Sequence, residues 1–535
     1  MGSRPRSRRA RRLAGRHYLN ADAISYLDLA DAWARGDWRA AVNAYWSPLY
    51  SILLVPVVRL TRTARAWEAP LAHALNVLVF IGALAAFEFF LRSALARLPG
   101  HDETEPRAAR VWGYALFGRA ATAMATVQLV TPDLLVVALA FVLAALLCRI
   151  AGGDARPRTF VALGLTAGVG VLAKLVMIFS GIATLALAAA LVRPRRRALA
   201  MTALAAAAAA LVAGPFVAAL SVKEGRLTLG EAGRINYAWT LRGPGLELSP
   251  ARWLRVQSHP PREIVEAPRA WQLDGAVPGT VPFWYAPASW NPRGGPVQFS
   301  VSAQARVMAL SLRGLYRLLR PWWPALPALA LLALGAARSG RRPAACPLWY
   351  VALGAAVPFA VYLPVHVEAR YVAAPLVLLL FVAFVSQPRA EGAARRRRAV
   401  IAWLVLLALV APPLGLRVRA LADYALGARP RAAADVAAER LRGLGLVPGD
   451  GVAVVGNFHE AQWARVGGLR VVAVVDADEA FDAARADLAE PARVAAALAA
   501  AGARAVVSDR GPAPAVAAGE WTVLYGALYA RRLDR

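Results

Sequence analysis

Asn20–Tyr50 reads NADAISYLDLADAWARGDWRAAVNAYWSPLY and holds four acids, Asp22, Asp28, Asp31 and Asp37, among several Trp and Tyr residues. The whole chain has only 33 acids in 535 residues, so this is a dense run. Hydrophobic segments follow it almost without pause. Acid and aromatic side chains beside apolar runs point to a polar site carried on a lipid-embedded scaffold.

The composition agrees. Hydrophobic residues make up 59% of the chain and charged residues 18%, against about a quarter charged in a soluble domain. Long apolar runs recur, so the expected fold is mostly α: a polytopic bundle of membrane helices. The net charge of +29 is not gathered on one soluble face. It falls in short clusters between apolar runs, at Arg193 to Arg197, Arg338 to Arg342 and Arg389 to Arg398. That is the pattern of cytoplasmic loops, and it argues against a nucleic-acid partner. Cys148 and Cys346 both lie in or beside apolar runs and define neither a disulfide framework nor a metal cluster. The basic start of the chain has no apolar h-region.

Taken in order, residues 1–16 form a basic arm and residues 17–67 an outer-face loop with amphipathic surface helices. Transmembrane helices are expected over 68–221 and 321–416, at 68–91, 111–130, 133–149, 159–173, 175–192, 199–221, 321–337, 347–365, 371–387 and 400–416. Residues 222–320 form a long outer loop. Residues 417–535 alternate strand and helix signals, with strands at 452–455, 469–475 and 504–507, and read as a small α/β domain outside the membrane. With the basic loops inside, counting spans puts the Asp-rich stretch, the long loop and the C-terminal domain outside. The same count puts the basic arm outside, against the positive-inside rule, so either residues 48–60 cross or, the favoured expectation, a further helix precedes Met1.

Four polar sets then fall on the outer side. Asp22 and Asp28 are suited to act as a base or to hold a cation, or else are solvated acids of a surface helix. In Thr131-Pro132-Asp133, Asp133 is a second candidate acid, with a helix cap as the plain alternative. Lys174 is an isolated cation in an apolar stretch, functional or snorkelling. His366-Val-Glu368-Ala-Arg370-Tyr371 offers a cation, an acid and a hydroxyl, with Arg370 able to hold a phosphate in a fork. His259-Pro-Pro-Arg262 in the long loop adds another phosphate-facing pair. The nearby Trp271, Phe283, Trp284, Tyr285 and Trp290 are candidates for stacking on a sugar or lying on headgroups. No nucleotide-binding or zinc signature is present.

Asp22-Ala-Ile-Ser-Tyr-Leu-Asp28, Gly36-Asp37-Trp38 and Tyr45-Trp46-Ser-Pro-Leu-Tyr50 resemble the first outer loop of bacterial integral membrane glycosyltransferases of the GT-C fold. The nearest group is the protein-mannosyltransferase-like or RgtA/B/C/D-like family, with lipid-A aminoarabinose transferases more distant. Thr131-Pro-Asp133, Leu172-Ala-Lys174, His259-Pro-Pro-Arg262, Pro282-Phe-Trp-Tyr285 and His366 to Tyr371 are similar to stretches that follow in the same order. The resemblance covers residues 17 to 420, and Trp463-Ala-Arg465 looks like part of the periplasmic domain of some members. It implies transfer of a sugar from a polyprenyl-phosphate donor to a glycan, lipid or protein acceptor on the outer face of the bacterial inner membrane. Asp22 would be the base, and Asp133 would assist or, with Asp22, bind a divalent cation (Mg or Mn). Lys174, His259 and Arg370, with Arg262, Glu368 and Tyr371 beside them, would hold the lipid phosphate. This sequence departs from the best-known members in having Ala23, not Glu, after Asp22. The competing readings are a transporter or flippase of lipid-linked sugars and a non-catalytic envelope assembly protein.

Overall fold

The computed structural model describes residues 17–98, 104–242, 254, 256–275, 277–297, 299–338, 346–387, 392–425, 432–481, 491–513 and 515–533. In chain order the elements that matter here are helix α1 (Ala21–Ala34), α2 (Glu68–Leu95), α3 (Thr104–Ala123), α4 (Asp133–Ala151), α5 (Pro157–Ala173), α6 (Met177–Leu191), α7 (Arg195–Glu224), α8 (Val301–Leu319), α9 (Ala325–Arg338), α10 (Trp349–Tyr362), α11 (Ala373–Val385), α12 (Gly392–Ala425) and the short α13 (Gln462–Gly467). Seven strands form one sheet: β1 (Arg262–Glu266), β2 (Arg269–Gln272), β3 (Gly451–Val455), β4 (Arg470–Val475), β5 (Ala503–Ser508), β6 (Thr522–Tyr525) and β7 (Leu528–Arg532).

The chain divides into two compact units. One is built from Ala74–Leu229 and Ser300–Leu426, the other from Ala14–His73, Gly230–Phe299 and Gly427–Arg535.

The first unit is the helical bundle. A helix forms at each of the ten expected spans. Segments Arg65–Leu95, Asp133–Ala151, Arg195–Glu224 and Gly392–Gly415 are long and apolar enough to cross a membrane, and α5, α6, α10 and α11 are apolar but shorter. The protein is a membrane protein. The span expected at 111–130 is displaced, since α3 ends at Ala123. Residues 124–132 turn back instead, and the buried Asn76 donates to Val127 O (3.1 Å) and Leu129 O (2.8 Å) of that turn. The half-buried carbonyls of a turn have no helix partner, and such a donor satisfies them. Helices α5 and α7 approach closely at Gly164 and Gly168. A Cβ added at Gly168 would lie 2.7 Å from Ala209 O, and one at Gly164 would overlap Ala205 O. Small residues four apart let two backbones meet in this way.

The second unit corrects the expected division. Segments 17–67, 222–320 and 417–535 were separate pieces in the sequence reading, but all three contribute to this one unit. The sheet runs β1-β2-β4-β3-β5-β7-β6, with β3 parallel to β4 and β5. Strands β1 and β2 come from the long loop, and β2 pairs antiparallel with β4. The buried all-apolar β3 (GVAVV) sits centrally, as a parallel strand covered on both faces should. Helix α1 is not an amphipathic surface helix. Residues 23–30 are buried on consecutive positions, hence on every face.

Candidate active site

Within the bundle unit, three separate turns bring their polar side chains together. Pro132 stands at the N-cap of α4 without a side-chain cap bond, and Asp133 is the first helical residue. Its carboxylate is not a cap. Thr131 Oγ1 donates to Asp133 Oδ2 (2.8 Å) and Lys174 Nζ donates to Oδ1 (2.8 Å). Lys174 lies in the turn between α5 and α6, in extended backbone that ends α5, so it is delivered at a helix end and not from mid-helix. Arg370 Nη1 is 3.5 Å from Asp133 Oδ2. Arg370 Nε also donates to Glu368 Oε2 (2.6 Å), and His366 Nε2 lies 3.3 Å from Glu368 Oε1. Lys174 Nζ sits 3.8 Å from the centre of the Tyr371 ring, which stacks on Tyr362 at 4.7 Å. Burial works against ionisation of Glu368, but His366 and Arg370 outweigh it and hold its carboxyl down at about 2.

Two carboxylates thus face two permanent cations, with His366 beside them. Lys174 is 24% exposed and Arg370 14%. Arg370 and Tyr371 of this cluster, with Tyr362, form one polar edge of a small cleft otherwise lined mostly by apolar residues of α4, α6, α10 and α11. The arrangement offers cationic donors to an anion whose remaining part is apolar. Both Asp133 oxygens are engaged, Oδ1 by Lys174 and Oδ2 by Thr131 and Arg370. Among the described residues no group of three or more His, Cys, Asp or Glu is placed to hold a metal.

The acids of the opening stretch lie in the other unit. Asp22 is in the first turn of α1 and half-buried. Asp28 is buried and has a partner that sequence reading missed: Arg465 of α13, which is 0% exposed. Arg465 Nη1 donates to Asp28 Oδ1, Nη2 to Asp31 Oδ2 (2.9 Å), and Nε and Nη2 to the two oxygens of Glu68 (2.7 and 3.0 Å). Thr280 donates to Asp28 Oδ2, and Arg65 lies 3.3 Å from Asp31 and 3.5 Å from Glu68. Gly279 is required beside it. Its φ is +89°, and an added Cβ would lie 2.5 Å from Arg465 Cβ. Asp31 is therefore not a solvated acid, whereas Asp37 does serve a turn, accepting from Ala40 N at 3.1 Å.

Three carboxylates around two guanidiniums carry one net negative charge in a buried site. Burial pushes the Asp28 carboxyl up to about 7, against the pull of Arg465 and Thr280. The folded state then binds a proton that the unfolded chain, with an ordinary Asp near 3.9, releases. Stability is fully present below about 4 and is lost as pH rises towards 7, at about 1.4 kcal/mol per pH unit. The melting temperature in detergent is expected to fall between pH 5 and pH 7, and Asp28→Asn to flatten that slope. Equal slopes in both proteins would refute the assignment.

The other candidates belong to the second unit. His259 is exposed, with its backbone N–H donating to Trp290 O (3.0 Å), and Arg262 is exposed at the start of β1. Trp271, Phe283 and Tyr285 are buried in the core of the second unit instead of stacking outwards.

No family model matches the chain, and no curated protein matches it. Among solved structures it is similar to ArnT from Cupriavidus metallidurans bound to undecaprenyl phosphate, at 18% identity and a TM-score of 0.52, over 98% of this chain and 96% of that one. The apo state of the same protein gives 15% and 0.47, over 97% and 94%. An Archaeoglobus fulgidus oligosaccharyltransferase tethered with an acceptor peptide gives 11% and 0.40, over 92% and 65%. The first of these likenesses runs end to end through both units, and at such low identity it speaks for architecture: the chain has the GT-C fold of integral membrane glycosyltransferases.

Proposed function

We propose that this protein is a membrane glycosyltransferase that moves a sugar from a polyprenyl-phosphate donor to an acceptor hydroxyl at the outer face of the bacterial inner membrane. The observation that carries the reading is the Lys174–Asp133–Arg370–Tyr371 cluster, whose Arg370 and Tyr371 also edge an apolar cleft. A lipid phosphate has that division, an anionic head on an apolar tail. The similar ArnT structure is one bound to undecaprenyl phosphate.

In this reading Lys174 and Arg370 hold the phosphate, and Tyr371 and Glu368 fix their positions. The acceptor oxygen attacks the anomeric carbon, the bond from that carbon to the phosphate oxygen breaks, and configuration inverts. The acceptor proton passes to Asp22, and the electron pair leaves on the lipid phosphate, where the two cations stabilise it.

Turnover of a polyprenyl-phosphate sugar by membranes carrying Asp22→Asn is expected to fall about 10²–10⁴-fold, the range for loss of a general base. Equal turnover would remove Asp22 from its role. Translocation of the lipid-linked sugar without formation of a glycosidic bond would favour a flippase.

A further inference from the structure

Helix α8 carries Arg306, Arg313 and Arg317, and Arg320 follows at its end. At 100° per residue these four fall in one stripe about 60° wide. All four are exposed. The opposite face packs on the bundle through Val307 and Ser311, with Leu315 and Leu318 against the core. Exposed apolar side chains border the stripe on both sides: Leu312 and Tyr316 on one, Leu310 on the other. Tyr316 is 71% exposed, and Trp323 just beyond the helix 67%. The helix also braces the candidate site. Gln304 Nε2 donates to Pro364 O (3.0 Å), in the turn that leads to His366, Glu368 and Arg370.

The sequence contains no Asp or Glu between Asp274 and Glu368. The stretch that carries the stripe is thus purely basic in sequence. Cations flanked by exposed apolar groups suit a helix lying in a membrane interface. A second copy of the chain would bring the same cations and repel.

We propose that α8 is a docking surface for anionic phospholipid headgroups, which the Arg306, Arg313, Arg317 and Arg320 guanidiniums engage while Leu310, Leu312 and Tyr316 enter the acyl boundary. Each cation near an anionic surface adds about 1 kcal/mol, or roughly fivefold in affinity. Lipid held there braces the turn that positions Arg370. The inference does not depend on the transferase reading, because its test needs no turnover.

The test is hydrogen exchange of peptides covering residues 301–320 in the full protein, in nanodiscs of phosphatidylcholine alone and with added phosphatidylglycerol. Exchange is expected to slow about tenfold with phosphatidylglycerol at low salt and to recover at high salt. The combined Arg306→Gln, Arg313→Gln, Arg317→Gln and Arg320→Gln protein should lose that difference, and the corresponding Lys variant should keep it. Equal exchange in the two lipids, or a difference that survives the Gln changes, overturns the proposal. So does equal slowing by inorganic phosphate in phosphatidylcholine, or slowing that follows the number of copies per disc and not the lipid.

Discussion

Arg465→Met is expected to destabilise the second unit by about 3–5 kcal/mol, the cost of breaking a buried ion cluster by removing one member. Folded proteins hold only about 5–15 kcal/mol in total. The guanidinium is fully buried and all three of its nitrogens are engaged, by Asp28, Asp31 and Glu68. Without it, three carboxylates remain with Arg65 as the one cation of the set and Thr280 as a neutral donor to Asp28, and burial keeps water from replacing the lost donors. Limited proteolysis and thermal melting in detergent would show early opening of 14–73, 230–299 and 427–535. Arg465→Lys keeps the charge but lacks the planar fork, so it should fall between. Adding Asp28→Asn, Asp31→Asn and Glu68→Gln to Arg465→Met should recover part of the loss, because a neutral set no longer needs the cation. An unchanged melting temperature for Arg465→Met would sink this account.

Asp133→Asn is expected to lower turnover about 10²-fold, the cost of misplacing catalytic groups by about 1 Å, without raising the KM for donor. Asn keeps the shape and a hydrogen-bond acceptor for Lys174 but loses the charge that Lys174 and Arg370 share. The site becomes one unit more positive, so phosphate binds at least as well. What is lost is the fixed placement of two cations that now repel. Arg370→Ala should show the opposite pattern, a raised KM. A raised KM with unchanged kcat for Asp133→Asn would place Asp133 in donor binding and remove its positioning role.

The bundle was legible because hydropathy alone marks a helix that faces lipid or a lipid-like core, and the buried strands β3, β4 and β5 were legible as Val- and Ala-rich runs. Strands β1 and β2 were not. REIVE and RAWQ have no apolar alternation that separates them from loop, and their partner β4 lies about two hundred residues on. Asp133 and Lys174 each carried two readings in sequence, and nothing in the sequence shows that they meet each other and Thr131 and Arg370 in space. Arg465 gave almost no signal, being one Arg among many. The clue lay at the other end of the chain. Asp28 and Asp31 share one helix face, and such an acidic face, once buried, needs a guanidinium that here comes from more than four hundred residues on.

Arg465 also sets a schedule. It lies 437 positions after Asp28 in the chain. At about 5–20 residues per second of synthesis, α1 emerges on the order of 20–90 s before the residue that neutralises it. Throughout that interval the acidic helix lacks its final partner, and the β1–β2 hairpin, once made, waits for its neighbour β4. The last hundred residues are thus the closing step of the first hundred, and a ribosome that stalls before α13 leaves the earliest-made helix unfinished.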